Sequence, residues 1–175
     1  MTVILTGFMG TGKTTVGRQL AQRLGKPFVD TDRQIEQLEG RSIADIFATD
    51  GEAAFRAVER RVVAEAVEKD AVVATGGGAI VDPTNLEHMR AAGPIICLTA
   101  APDVILERTA TNTSRPLLNT TERRQRIEGL LRDRAPAYAQ ANLVVDTSYR
   151  SVDCIVDDII AFLEHKPSRF QKDGR

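Results

Sequence analysis

The chain predicts an α/β fold: a five-stranded parallel sheet flanked by helices. Three observations carry that prediction. Short apolar, β-branched runs alternate with amphipathic stretches of helical spacing. Five such runs are separated by segments long enough for a crossover helix, which makes the strands parallel. Runs such as Val72-Val73-Ala74 are apolar without a break, as suits strands covered by helices on both faces.

The first strand is read at Thr2-Val3-Ile4-Leu5-Thr6, and Val16, Leu20 and Leu24 then recur at helical spacing. Between them, Gly7-Phe8-Met9-Gly10-Thr11-Gly12-Lys13-Thr14 fits the pattern G-x-x-x-x-G-K-[ST] in full. Such a loop curls backbone N–H groups around phosphate oxygens, here at Gly10, Thr11 and Gly12, with Thr15 following at the helix start. Lys13 reaches the outer phosphates and the Thr14 hydroxyl serves magnesium. A lysine beside the positive end of a helix is repelled unless an anion joins it, so a plain strand-to-helix turn explains Lys13 poorly.

Pro27-Phe28-Val29-Asp30 is the second strand, followed by Ile35 and Leu38 at helical spacing. Asp30 is the candidate carboxylate for magnesium, beside Thr14. Asp32, two residues along an extended segment, points to the same side and is placed to orient or deprotonate an attacking hydroxyl. Capping of the next helix is the simpler role for Asp32.

Ser42 opens a short helix through Ile43, Ile46 and Phe47, and Asp50-Gly51 breaks it before a longer one bearing Phe55, Val58, Val62, Val63, Ala66 and Val67 on one face. Arg56 and Glu59 stand three apart on that helix, which an ordinary surface ion pair explains as well as a site does. As a site, Phe55 and Arg56 would offer an aromatic wall and a fork-shaped donor for a ring bearing a carboxylate. The third strand, Ala71-Val72-Val73-Ala74-Thr75, runs into Gly76-Gly77-Gly78, where either a strained turn or close approach of backbone to a ligand accounts for three glycines.

Asp82-Pro83 starts another helix, Pro94-Ile95-Ile96-Cys97-Leu98 is the fourth strand, and a helix runs from Pro102 to about Thr109. Residues from about 109 to 121, rich in Thr, Asn and Ser, read as a mobile lid containing Arg115. Arg108 precedes it, and either arginine is placed to reach a nucleotide. Arg132 and Arg134 lie in the following helix, which ends near Pro136-Ala137-Tyr138. Leu143-Val144-Val145 is the last strand, before a helix from Ser151 to about Leu163.

At 175 residues and 19.1 kDa the chain suits one domain, taken as residues 1–165 with a polar tail at 166–175. Ligands of open parallel sheets bind outside the carboxyl ends of the strands, where the glycine loop, Asp30, Asp32 and the triple glycine all fall. A net charge of −1 without a dense basic stripe argues against nucleic acid as a partner. Cys97 and Cys154 sit in apolar runs without metal spacing, and no apolar run reaches membrane-spanning length, so a soluble cytoplasmic protein is expected. A monomer is the expected state.

Taken together, Gly7 to Thr14, Asp30-Thr31-Asp32, Phe55-Arg56-x-x-Glu59, Thr75-Gly76-Gly77-Gly78, Arg115-Pro116-Leu117-Leu118 and Arg134-x-x-x-Tyr138 make the chain similar to the shikimate kinases. The resemblance runs from the first strand to about Leu163. These are P-loop phosphotransferases of nucleoside-monophosphate-kinase architecture. The resemblance implies ATP-dependent phosphorylation of the 3-hydroxyl of shikimate, with Mg2+ as cofactor and a substrate-binding region at about 31–60. It makes Lys13, Asp32 and Arg115 the catalytic set. Arg56 and Arg134 would grip the substrate carboxylate, Gly77 and Gly78 would offer backbone contacts, and Glu59 would orient Arg56. Arg108 and Arg150 would lie against adenine, although Thr147-Ser148-Tyr149-Arg150-Ser151-Val152 matches the adenine loop loosely and lacks its frequent proline. A gluconate or nucleoside-monophosphate kinase is the alternative, since arginine clusters also bind phosphate. A GTPase switch would need D-x-x-G and N-K-x-D, and the chain has neither.

Overall fold

The computed structural model describes residues 1–110 and 123–165. Within them the strands are β1 (Val3–Gly7), β2 (Phe28–Asp30), β3 (Val72–Ala74), β4 (Ile95–Thr99) and β5 (Leu143–Asp146). The helices are α1 (Lys13–Leu24), α2 (Thr31–Glu39), α3 (Ile43–Thr49), α4 (Gly51–Val67), α5 (Pro83–Ala92), α6 (Pro102–Thr109), α7 (Arg123–Tyr138) and α8 (Val152–Glu164). A single turn of 3-10 helix at Ala79–Val81, which apolar periodicity does not announce, follows the triple glycine.

The strands form one parallel sheet in the order β2-β3-β1-β4-β5. β1 lies in the middle because its five residues are all buried and can accept helices on both faces. Successive side chains alternate sides, so Val3 and Leu5 join Val16, Leu20, Ile155 and Ile159 of α1 and α8 on one face. Ile4 joins Val63, Val67, Met89, Ile105 and Ile127 of α4 to α7 on the other. A separate small core of Ile35, Ile46, Phe55 and Val62 holds α2 and α3 to α4.

Gly7 ends β1 with φ 129°, and a Cβ there would stand 2.1 Å from the Leu98 carbonyl oxygen. Only glycine lets the chain leave the central strand this close to β4. The loop that follows therefore opens at the carboxyl edge of the sheet. The segment read as a lid, with Arg115, lies mostly outside the described residues, as does the tail.

Candidate active site

The glycine loop is tied down by its own side chains. Thr11 closes it through its hydroxyl, which donates to the Phe8 carbonyl at 2.7 Å. Lys13 folds back over the loop, its ammonium donating to the carbonyls of Gly7 at 2.8 Å and Phe8 at 3.0 Å. The expectation that this cation requires an anion is corrected by those two carbonyl oxygens, which supply partial negative charge. Lys13 nonetheless stands at the amino end of α1, beside the loop N–H groups.

Thr14 and Asp30 come together, the Thr14 hydroxyl donating to Asp30 Oδ2 at 3.1 Å. Asp30 is also the N-cap of α2, accepting from the Arg33 N–H through Oδ1. Capping falls to Asp30 because α2 starts at Thr31, so Asp32 is neither the cap nor part of an extended segment. It stands in the first turn of α2, where a carboxylate is favoured by the helix dipole. Thr15 is exposed on the first turn of α1 and, with Thr14, Arg18 and Arg33, borders an open groove.

The triple glycine is where the remaining groups converge. A Cβ on Gly76 would lie 2.8 Å from Asp32 Oδ1 and 3.0 Å from Glu59 Oε1. On Gly77 it would lie 3.0 Å from the Gly7 carbonyl oxygen and 3.2 Å from Arg134 Nη1, and on Gly78 it would lie 2.7 Å from Arg56 Nη2. None of the three has a left-handed φ, so crowding by charged side chains and, at Gly77, by the Gly7 carbonyl, and not backbone strain, requires glycine here. Four side chains from α2, α4 and α7 thus meet at one turn next to the phosphate loop.

Two of those side chains are cations seated on rings. The Arg134 guanidinium lies 5.5 Å from the centre of the Phe8 ring, and that of Arg56 lies 5.2 Å from the Phe55 ring. Phe55 itself is buried against Phe47 in the small core. Arg56 donates to Glu59 Oε2 at 2.7 Å and to Glu52 Oε1 at 3.3 Å. This is no ordinary surface pair, because Glu59 is 1% exposed and its Oε1 has no hydrogen-bond partner among the described residues. Burial pushes the Glu59 carboxyl above its ordinary range, against the opposing pull of Arg56.

Arg108 is fixed near the loop by three bonds, to the carbonyls of Gly10 at 3.2 Å and Thr147 at 2.8 Å and to the Thr147 hydroxyl at 3.0 Å. Thr147 in turn donates to the Thr11 carbonyl at 2.9 Å. Arg150 turns instead to α8, donating to Asp158 at 2.7 Å. Its neighbour Tyr149 is 86% exposed with a left-handed φ of 56°. Sequence reasoning missed Phe8 as the seat of Arg134 and Thr147 as the anchor of Arg108. The aromatic at a variable loop position was the signal for the first, and no signal marked the second.

The shikimate kinase family model matches residues 9–164. A shikimate kinase of Pelotomaculum thermopropionicum is 44% identical over 163 residues, spanning 93% of this chain and 95% of that protein. One from Thermus thermophilus is also 44% identical, over 90% of this chain and 87% of the other. The solved shikimate kinase of Acinetobacter baumannii in complex with shikimate superposes with a TM-score of 0.90 at 36% identity, covering 93% of this chain and 92% of that one. With most of its length matched by the family model, and the loop, the paired arginines and the triple glycine brought to one sheet edge, the chain belongs to the shikimate kinase family.

Proposed function

We propose that this protein transfers the γ-phosphoryl group of ATP to the 3-hydroxyl of shikimate, giving shikimate 3-phosphate and ADP, a step towards the aromatic amino acids. The observation that carries the reading is the convergence of Asp32, Glu59, Arg134 and Arg56 on Gly76 to Gly78. Two guanidinium groups beside the half-buried backbone of Gly77 and Gly78 suit a small carboxylic acid, since planar forks bind carboxylates through two parallel bonds.

In this reading Arg56 and Arg134 hold the carboxylate, Gly77 and Gly78 offer backbone contacts, and Glu59 fixes Arg56. Asp32 receives the hydroxyl and takes its proton as the oxygen attacks phosphorus. The loop N–H groups of Gly10 to Thr15 cradle the phosphates, and Lys13 leaves its carbonyl partners for phosphoryl oxygens. Thr14 and Asp30 fit magnesium, because both present oxygen atoms and magnesium binds through few protein oxygens while keeping several waters. When bound, that ion neutralises charge on the phosphates. Arg108 and Arg150 flank the adenine side, and Arg115 of the lid covers the transferred group. Residues 1–165 act as one domain, and the enzyme works as a cytoplasmic monomer with neither nucleic acid nor membrane as partner. Among the described residues no helix is long and apolar enough to cross a membrane.

A coupled ADP-release assay across shikimate, gluconate and nucleoside monophosphates tests the proposal. ADP release that depends on shikimate and on Mg2+ is expected, and turnover with gluconate or a nucleotide alone rejects it.

A further inference from the structure

The hydroxyl of Tyr138 donates to the Gly77 carbonyl oxygen at 2.8 Å. Tyr138 ends α7, one turn after Arg134, so one helix face carries both the guanidinium and the phenol to the triple glycine. The ring is buried at 7% exposure, in the core cluster that also holds Phe8. Burial also raises the phenol above its ordinary range, which keeps it a proton donor at neutral pH.

The geometry reaches further than one bond. The Gly77 carbonyl and the Gly78 N–H belong to a single planar peptide, and no peptide in the described structure is cis. They therefore point in opposite directions. Fixing the carbonyl against the phenol fixes where the Gly78 N–H points. Glycine has the widest backbone freedom of any residue, so three in succession need such an outside anchor to present a donor in one direction. Asn85 supplies the next anchor, its amide donating to the Ala79 carbonyl at 3.0 Å from a fully buried position.

We propose that Tyr138 is a positioning residue for the acid substrate: its hydroxyl locks the Gly77–Gly78 peptide and couples that peptide to Arg134, so that one helix sets both the backbone donor and the carboxylate grip. Tyr138 does not touch the reacting atoms. Its effect falls on binding of the acid and leaves the nucleotide half of the site alone. This rests on the proposed reaction.

Tyr138→Phe keeps the ring and deletes only the hydroxyl. The shikimate KM is expected to rise about fivefold to twentyfold, as loss of one buried hydrogen bond allows, with the ATP KM nearly unchanged and the melting temperature lowered by a few degrees. An unchanged shikimate KM, or equal rises in both KM values, overturns the inference. A companion measurement needs no substrate: in the amide NMR spectrum the Gly77 and Gly78 resonances should shift or broaden in Tyr138→Phe, while the Gly10 and Gly12 resonances stay in place. Wild-type protein that fails to turn over shikimate rejects the proposed reaction alone, and unmoved Gly77 and Gly78 resonances reject the role of Tyr138 alone.

Discussion

Arg56 and Glu59, three residues apart on α4, form a 2.7 Å ion pair whose carboxylate is almost wholly buried and whose second oxygen faces the space left by Gly76. Ionisation of Glu59 is thus costly, and its proton is held more tightly in the folded chain than in the unfolded one. The stabilising contribution of that proton is complete below the ordinary carboxylate pKa and is lost as pH rises through the raised value. Thermal melts of wild type and Glu59→Gln from acid to neutral pH should show a wild-type advantage that shrinks as pH rises. A difference independent of pH contradicts this.

Removal of either guanidinium should weaken the acid and spare the nucleotide. For Arg56→Ala and Arg134→Ala the shikimate KM is expected to rise about tenfold to a hundredfold, the range for charged hydrogen bonds, with little change in the ATP KM. Steady-state kinetics with each substrate varied in turn decides it.

Asp30 and Asp32 should separate cleanly. Asp30→Ala removes a helix cap and a candidate metal oxygen, so it should lower stability by about 1 kcal/mol and raise the Mg2+ concentration needed for activity. Asp32→Asn keeps the helix and loses the proposed proton acceptor. Its kcat should fall by about a hundredfold or more with the melting temperature held. Paired denaturation and activity measurements distinguish the two.

Gly78→Ala places a methyl group against the Arg56 guanidinium, the movable end of a long side chain. The protein should fold and lose shikimate affinity. Gly7→Ala meets the Leu98 carbonyl oxygen at 2.1 Å with a left-handed φ, and should fail as a fold. Circular dichroism and shikimate titration of both variants check this contrast.

All five strands and the helix rhythm were legible in sequence because buried strands and amphipathic helices imprint period and composition directly. The phosphate loop was legible because one local segment does the whole task. Asp32 was harder: its position suits a cap of α2, and only the hydrogen bond from the Arg33 N–H shows that Asp30 takes that role instead. The turn at Gly76 to Gly78 fits a strained turn as well as a close approach to a ligand, and the side chains that crowd it come from three helices distant in sequence. Pairings of that kind leave no local trace. Tyr138 had the same difficulty, its spacing from Arg134 being visible while its partner sixty-one residues away was not.

The sheet order has a further consequence for how the protein is made. β1 leaves the ribosome before its neighbours β3 and β4, and the register with β4 needs Ile95 to Leu98. At ordinary elongation rates of about 5–20 residues per second, an apolar strand waits roughly 5–20 seconds for its second neighbour. During that interval both the strand edge and the nascent phosphate loop are exposed to chaperones or to other chains. The element that handles the nucleotide is therefore synthesised before either of the strands that shelter it, and the vulnerable stage in the life of this enzyme is its birth.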